Sequence, residues 1–188
     1  MNEEIQQEIL GQDYTMIQQN IESFIKNHVS QKKANGVVFG LSGGIDSATV
    51  AYLCSKVFKK NALALVMPDS AVSPSSDTGD ALKTIGEIGI DYKLIDINTI
   101  HKRYSNYLEP GELALGNLRA RIRSNIIYYY ANLKNLLVLG TSDKSEYLIG
   151  YFTKFGDGSA DLLPIVSLYK TQLREFAKTI GVPSNIIN

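Results

Sequence analysis

Cysteine occurs once in this sequence, at Cys54, and tryptophan does not occur at all. A single thiol cannot close an intrachain disulfide, which points to a reducing compartment. Its place within a helical, apolar stretch reads as packing rather than reactivity. The two histidines, His28 and His101, have no metal-ligand spacing and read as surface or helix-end residues. An excess of charge is missing too: 19 Lys and Arg face 19 Asp and Glu. No bulk charge therefore favours a nucleic acid. Apolar runs such as Leu136-Leu137-Val138-Leu139 are far too short to span a bilayer. The start, MNEEIQQEIL, is polar and acidic, unlike a signal peptide. Together these absences predict a cytoplasmic protein that binds neither membrane nor nucleic acid.

What remains is ordinary globular composition over 188 residues, a length that favours one domain, residues 1–188, with a substantial core. Ile17, Ile21, Ile25 and Val29 recur every four residues, a helical stripe, and Thr15-x-x-Gln18 resembles a capping box at its start. Val37-Val38-Phe39 is a short, continuously apolar run that reads as a strand buried on both faces. A helix from about Ala48 to Phe58 follows, then strands at Ala62 to Met67 and Tyr92 to Ile97 around a helix near Asp77 to Ile88. A long helix over Glu112 to Leu133 precedes a strand at Leu136 to Leu139. A last helix spans Lys170 to Ile180, with Gly181 and Pro183 just beyond it. Alternating strands and helices predict an α/β fold, a doubly wound parallel sheet in three α/β/α layers. Ligands of such sheets bind beyond the carboxyl ends of the strands, where strand order reverses.

Between the first strand and its helix lies Gly40-Leu41-Ser42-Gly43-Gly44-Ile45-Asp46-Ser47. Glycines let the backbone turn tightly and come close to a ligand, and amides at the following helix N-terminus then face an anion. The hydroxyls of Ser42 and Ser47 are candidate donors to phosphate. Asp46 would be repelled by bare phosphate, so its natural role is to hold Mg²⁺ against it. The loop is neither a Walker A sequence nor a dinucleotide GxGxxG. It resembles the SGGxDS signature of the ATP pyrophosphatase (PP-loop) family, whose members cleave ATP between its α- and β-phosphates.

Later segments resemble the NAD synthetases in order and spacing: Asn117-Leu118-Arg119-Ala120-Arg121-Ile122-Arg123, Gly140-Thr141-Ser142-Asp143-Lys144-Ser145-Glu146, Gly150 to Asp161, and Leu168-Tyr169-Lys170-Thr171-Gln172-Leu173-Arg174-Glu175. The resemblance covers nearly the whole chain beyond the first helix. It implies an adenine-nucleotide α-hydrolase-like fold and an ammonia-dependent NAD synthetase, an ATP-consuming ligase. Deamido-NAD would be amidated with free ammonia to give NAD, AMP and pyrophosphate through an acyl adenylate. The loop from Gly40 to Ser47, Thr141 and Lys170 would contact ATP, with Asp46 and Lys170 catalytic and Asp46 and Glu146 holding Mg²⁺. Arg121, Lys154 and Asp161 would form the deamido-NAD site. A homodimer would meet through the helix around residues 112–133, with Tyr128, Tyr129 and Tyr130 either at that contact or in the intrachain core.

Beside that resemblance, Arg119 and Arg123 taken alone read as solvated charge on a helix flank, while Asn117, Arg121 and Asn125 share another face. Two departures stand out. Val66-Met67-Pro68 occupies the place where many bacterial members carry an ATP-holding arginine, so contacts there would run through other groups, such as the backbone near Met67. The family also continues beyond the position of Asn188, so a C-terminal segment is expected to be missing. Alternatives are another PP-loop enzyme, of amidotransferase or tRNA-modifying type, and a nucleotide-binding module without turnover.

Overall fold

The structure is a computed structural model that describes residues 10–187; the acidic start of the chain and Asn188 lie outside them. Helix α1 (Tyr14–Gln31) leads into β1 (Gly36–Gly40), α2 (Ile45–Phe58), β2 (Ala62–Val66), α3 (Ser75–Ile88) and β3 (Asp91–Leu94). There follow α4 (Asn98–Ser105), α5 (Glu112–Lys134), β4 (Leu136–Leu139), α6 (Lys144–Ile149), α7 (Lys170–Ile180) and α8 (Ser184–Ile187). The four strands form one parallel sheet in the order β3-β2-β1-β4.

Side chains alternate between the sheet's two faces, because successive residues of a strand point to opposite sides. Val37 and Phe39 enter one core with Ile25, Leu53 and Phe176, beneath α1, α2, α3 and α7. Val38 enters the other with Leu63, Leu65 and Val138, beneath α5. The expectation of a three-layer, doubly wound α/β fold holds. Helix α7 buries Leu173, Phe176, Ala177 and Ile180 at i, i+3, i+4 and i+7, the single apolar stripe that a surface helix needs.

Several boundaries differ from those read in the sequence. The N-cap of α1 is Asp13, whose side chain accepts from the Met16 amide, rather than Thr15. Helix α2 starts at Ile45, so Asp46 and Ser47 lie in its first turn and their directions are fixed by the helix. Strand β3 ends at Leu94 and is exposed throughout, since it is the sheet edge and pairs only with β2. The chain beyond it still follows the end of β2, through Ile95 N–H to Val66 O and Ile97 N–H to Pro68 O.

Strand order reverses between β1 and β4. Their register pairs Phe39 with Leu139, which brings the two glycines that follow, Gly40 and Gly140, to the same edge. That edge is where the loops carrying the candidate residues converge.

Candidate active site at the strand crossover

The loop after β1 is built by its own side chains and backbone. Ser47 Oγ donates to Gly44 O at 3.0 Å and accepts from the Ser42 amide at 3.1 Å, with Ser42 Oγ a further 3.1 Å away. Ser47 thus braces the loop from inside, Ser42 Oγ also accepts the Gly44 amide at 3.3 Å, and both serines line the cleft beside the loop. Gly43 has φ +92°, and a Cβ there would lie 2.3 Å from Asp77 O, so conformation and space both demand glycine. The N-cap of α2 is Gly44, which offers no side-chain cap, so the first-turn amides of α2 remain available.

A cleft of ≈ 370 Å³ opens beside this loop, lined among others by Ser42, Met67, Arg123, Ile127, Thr141 and Asp157. That volume lies in the range of small-molecule sites. Thr141 follows β4 directly, as the sequence suggested. Arg123 is the surprise: it is only partly exposed, and its Nε donates to Met67 O at 2.8 Å. The backbone near Met67 thus gives one carbonyl to Arg123, whose guanidinium reaches the end of β2 from α5. Burial pulls the Arg123 pKa below its ordinary range, with Asp69 opposing and Arg119 adding to the effect.

Arg119 is likewise engaged, with its Nε 2.6 Å from Oδ2 of the fully buried Asp69. His101 is also buried rather than at the surface, 3.9 Å from the same carboxylate through Nδ1, with Nε2 3.2 Å from Leu115 O. Burial raises the Asp69 pKa, but Arg119, the Ala71 amide and the charge of His101 together hold it below the usual carboxylate value. This knot fastens the loop after β2 to α4 and α5.

Lys170, the first residue of α7, reaches across to the phosphate loop. Its Nζ lies 2.5 Å from Asp46 Oδ1, 2.9 Å from Asp143 Oδ2 and 3.4 Å from Glu146 Oε1. Asp143 was not singled out in the sequence. It is the N-cap of α6: its Oδ1 accepts the Glu146 amide at 2.8 Å in a capping box. Its second oxygen, however, points into the cluster. Among the described residues, Asp46, Asp143 and Glu146 offer oxygens all within 4.8 Å of one another, a hard-oxygen set that suits Mg²⁺. Unit charges that close repel by roughly 3–4 kcal/mol per pair at an effective dielectric near 20. Glu146 feels this: burial first, then the charge of Asp46, raise its pKa, against the pull of Lys170. Burial alone would lower the Lys170 pKa, but its bonds to Asp46 and Asp143 and the nearby charges raise it well above the ordinary lysine range.

Arg121 and Lys154 meet at one place. Arg121 Nε donates to Lys154 O at 3.2 Å, and Thr153 Oγ1 donates to Asn117 Oδ1 at 2.7 Å. The shared face of Asn117 and Arg121 therefore seats the segment after α6. Asp161 stands apart from this pair: its Oδ2 accepts the Val138 amide at 2.7 Å and it is stitched to β4. Asp157 accepts the Thr153 amide and shapes a turn, and it also lines the cleft. Of the tyrosines, Tyr128 and Tyr130 pack against the second core, whereas Tyr129 is exposed. Cys54 is buried, and burial pushes its thiol pKa up.

The family description "NAD synthase" matches residues 17–188. This chain belongs to that family. It is 49% identical over 182 residues to the NH(3)-dependent NAD(+) synthetase of Hyperthermus butylicus, covering 95% of this chain and 66% of that relative. The chain thus spans just under two thirds of that family member's length. Among solved structures it resembles the NH3-dependent NAD synthetase of Campylobacter jejuni, in complex with the nitrate ion, at 41% identity and a TM-score of 0.90. That match covers 94% of this chain and 77% of the other. It also resembles the NMN synthetase of Francisella tularensis, at 36% identity and a TM-score of 0.89, covering 94% and 74%. Family membership places the crossover cleft on a fold shared with synthetases of nicotinamide nucleotides.

Proposed function

We propose that this protein uses ATP and ammonia to convert the nicotinate carboxylate of deamido-NAD to the amide, releasing AMP and pyrophosphate. The observation that carries the reading is the phosphate loop standing at the strand crossover with Lys170, Asp46 and Glu146 gathered beside it. The amides at the start of α2 and Ser42 would cradle the phosphates. The adenosine part would enter the cleft lined by Met67, Ile127 and Arg123. Asp46 and Glu146 would hold Mg²⁺, which supplies positive charge against the phosphate oxygens. Lys170 would stabilise negative charge developing on the α-phosphate and on departing pyrophosphate. Arg121 and Lys154 form a basic patch suited to the anionic dinucleotide; Asp161, fixed on β4, would border its nicotinate end.

In the first step a carboxylate oxygen bonds to the α-phosphorus as the bond to pyrophosphate breaks. In the second, ammonia adds to the activated carbonyl carbon, AMP leaves, and the nitrogen loses a proton. The carboxylate needs this activation because an oxide ion is a poor leaving group. The protein's share is positioning and preorganised charge. The working species would be a homodimer joined through α5.

The Francisella relative's name supports a second reading, in which the acceptor is the mononucleotide rather than the dinucleotide. One experiment addresses both. The protein receives ATP, Mg²⁺ and ammonium with either deamido-NAD or nicotinate mononucleotide, and amide, AMP and pyrophosphate are quantified. Amide formed from deamido-NAD in step with AMP is expected. Preference for the mononucleotide would shift the acceptor, and absence of AMP with either would sink both readings.

A further inference from the structure

The Lys170 ammonium occupies the space into which the three carboxylates converge, at 2.5, 2.9 and 3.4 Å from their oxygens. The point between those oxygens, which lie within 4.8 Å of one another, can hold that ammonium or a divalent ion but not both, because Mg²⁺ draws its ligands in to about 2.1 Å. The carboxylates are not equivalent in what they can do when a second cation arrives. The Asp46 and Glu146 side chains are 23% and 29% exposed, and Asp46 stands on the phosphate loop itself. The Asp143 side chain is fully buried, locked through Oδ1 to the Glu146 amide, and among the described residues its Oδ2 faces no polar partner besides that ammonium. The backbone reinforces the pairing: Lys144 N–H donates to Leu168 O at 2.8 Å, and Lys170 N–H donates to Ser145 Oγ at 3.1 Å. The starts of α6 and α7 are thus tied together.

We propose that Lys170 is a resident counter-cation that yields Asp46 and Glu146 to the metal arriving with ATP, and that Asp143 is the positioning residue that keeps its ammonium at the site. This rests on the reading of Asp46 and Glu146 as Mg²⁺ ligands. The lysine offsets part of the cluster's negative charge while no nucleotide is bound, which suppresses binding of free metal and couples metal entry to ATP. Anchored by Asp143, the displaced ammonium moves only a short way and stays within reach of the phosphates instead of escaping to solvent.

The test measures Mn²⁺ binding by electron paramagnetic resonance, with and without a non-hydrolysable ATP analogue. Without nucleotide, Lys170→Met is expected to bind Mn²⁺ at least about tenfold more tightly than wild type, since the carboxylates lose their internal cation. Asp143→Asn keeps the helix cap, because an amide oxygen can accept from Glu146 N–H. It should show no such gain, but should bind the Mn²⁺–analogue complex about tenfold more weakly at an unchanged fold, monitored by melting. Unaltered nucleotide-free metal binding in a folded Lys170→Met protein overturns the exchange. Wild-type affinity of Asp143→Asn for the metal–analogue complex overturns the role of Asp143, and this arm stands even if Lys170→Met fails to fold. The metal reading has its own control: Asp46→Asn should lose the Mn²⁺ that wild type binds with the analogue. Retention of that ion would refute the metal site and leave the cause of failure unambiguous.

Discussion

Gly43 shows how narrow the tolerance of the phosphate loop is. At φ +92° an L side chain is strained, and its Cβ would stand 2.3 Å from a backbone oxygen of α3. Gly43→Ala should therefore cost about 1–3 kcal/mol of strain unless the loop moves. Either outcome misplaces the phosphates, so turnover should fall about a hundredfold. Melting curves and initial rates on one preparation check both, and near-normal activity would count against the loop as the phosphate cradle. For Asp46→Asn the expectation differs: turnover is lost while the fold persists, because Asp46 is partly exposed and outside the core. A well-folded variant with substantial activity would remove Asp46 from the metal site. Asp143 carried no legible signal in the sequence. An acidic N-cap is commonplace, and only the arrival of Lys170 from a distant part of the chain makes its second oxygen chemically significant.

Helix α5 works on three sides. One flank carries Arg119 and Arg123 to the loop after β2, another seats residues 153 and 154, and Ile122 is buried in the core. The Arg119–Asp69 pair gives this element a pH dependence of definite sign. The folded-state pKa of Asp69 is lowered, so its stabilisation is complete above the unfolded value near about 3.9 and is lost as pH falls through the lower folded value. The stability gap between wild type and Asp69→Asn should be flat from neutrality to about pH 4 and shrink below it. Urea melts at stepped pH measure that gap, and a gap that widens in acid would refute the assignment. Arg119→Ala, which strands a buried carboxylate, should cost about 3 kcal/mol, the low end for such pairs because Arg119 is itself partly exposed. On the opposite flank, Arg121→Ala should raise the deamido-NAD concentration needed for half-saturation about tenfold and leave that for ATP nearly unchanged. Paired saturation curves decide this; equal effects would take Arg121 out of the dinucleotide site.

At the scale of the whole molecule, α5 leaves Leu113, Tyr129 and Leu133 largely exposed, apolar area that association would cover. Light scattering at micromolar concentration should find a dimer, and Tyr129→Asp should shift it toward monomer. A wild-type monomer across that range would refute the interface. Much of this architecture was legible in the sequence because it depends on local signals. A strand buried on both faces is continuously apolar, as Val37 to Phe39 are; a surface helix repeats its apolar residues, as α7 does; and a tight turn like the one after β1 gathers its glycines within a few residues. The family resemblance named Asp46, Glu146 and Lys170 for one site, and the fold brings the Lys170 ammonium within 3.4 Å of both carboxylates. Edge position was not legible, since β3 differs from an inner strand only in having one neighbour to pair with. Nor were the destinations of long side chains. Arg119 and Arg123 read as solvated because helical spacing gives a face but not what lies opposite it. Asp69, Met67 and His101 come to oppose them only once β2, α4 and α5 are docked. The sequence by itself determined the four strands, the longer helices and the glycine-rich turn after β1, which are properties of neighbouring residues. Tertiary structure alone decided which charges are paired, because ion pairs such as Lys170 with Asp46 join residues that only the closed sheet brings within bonding distance.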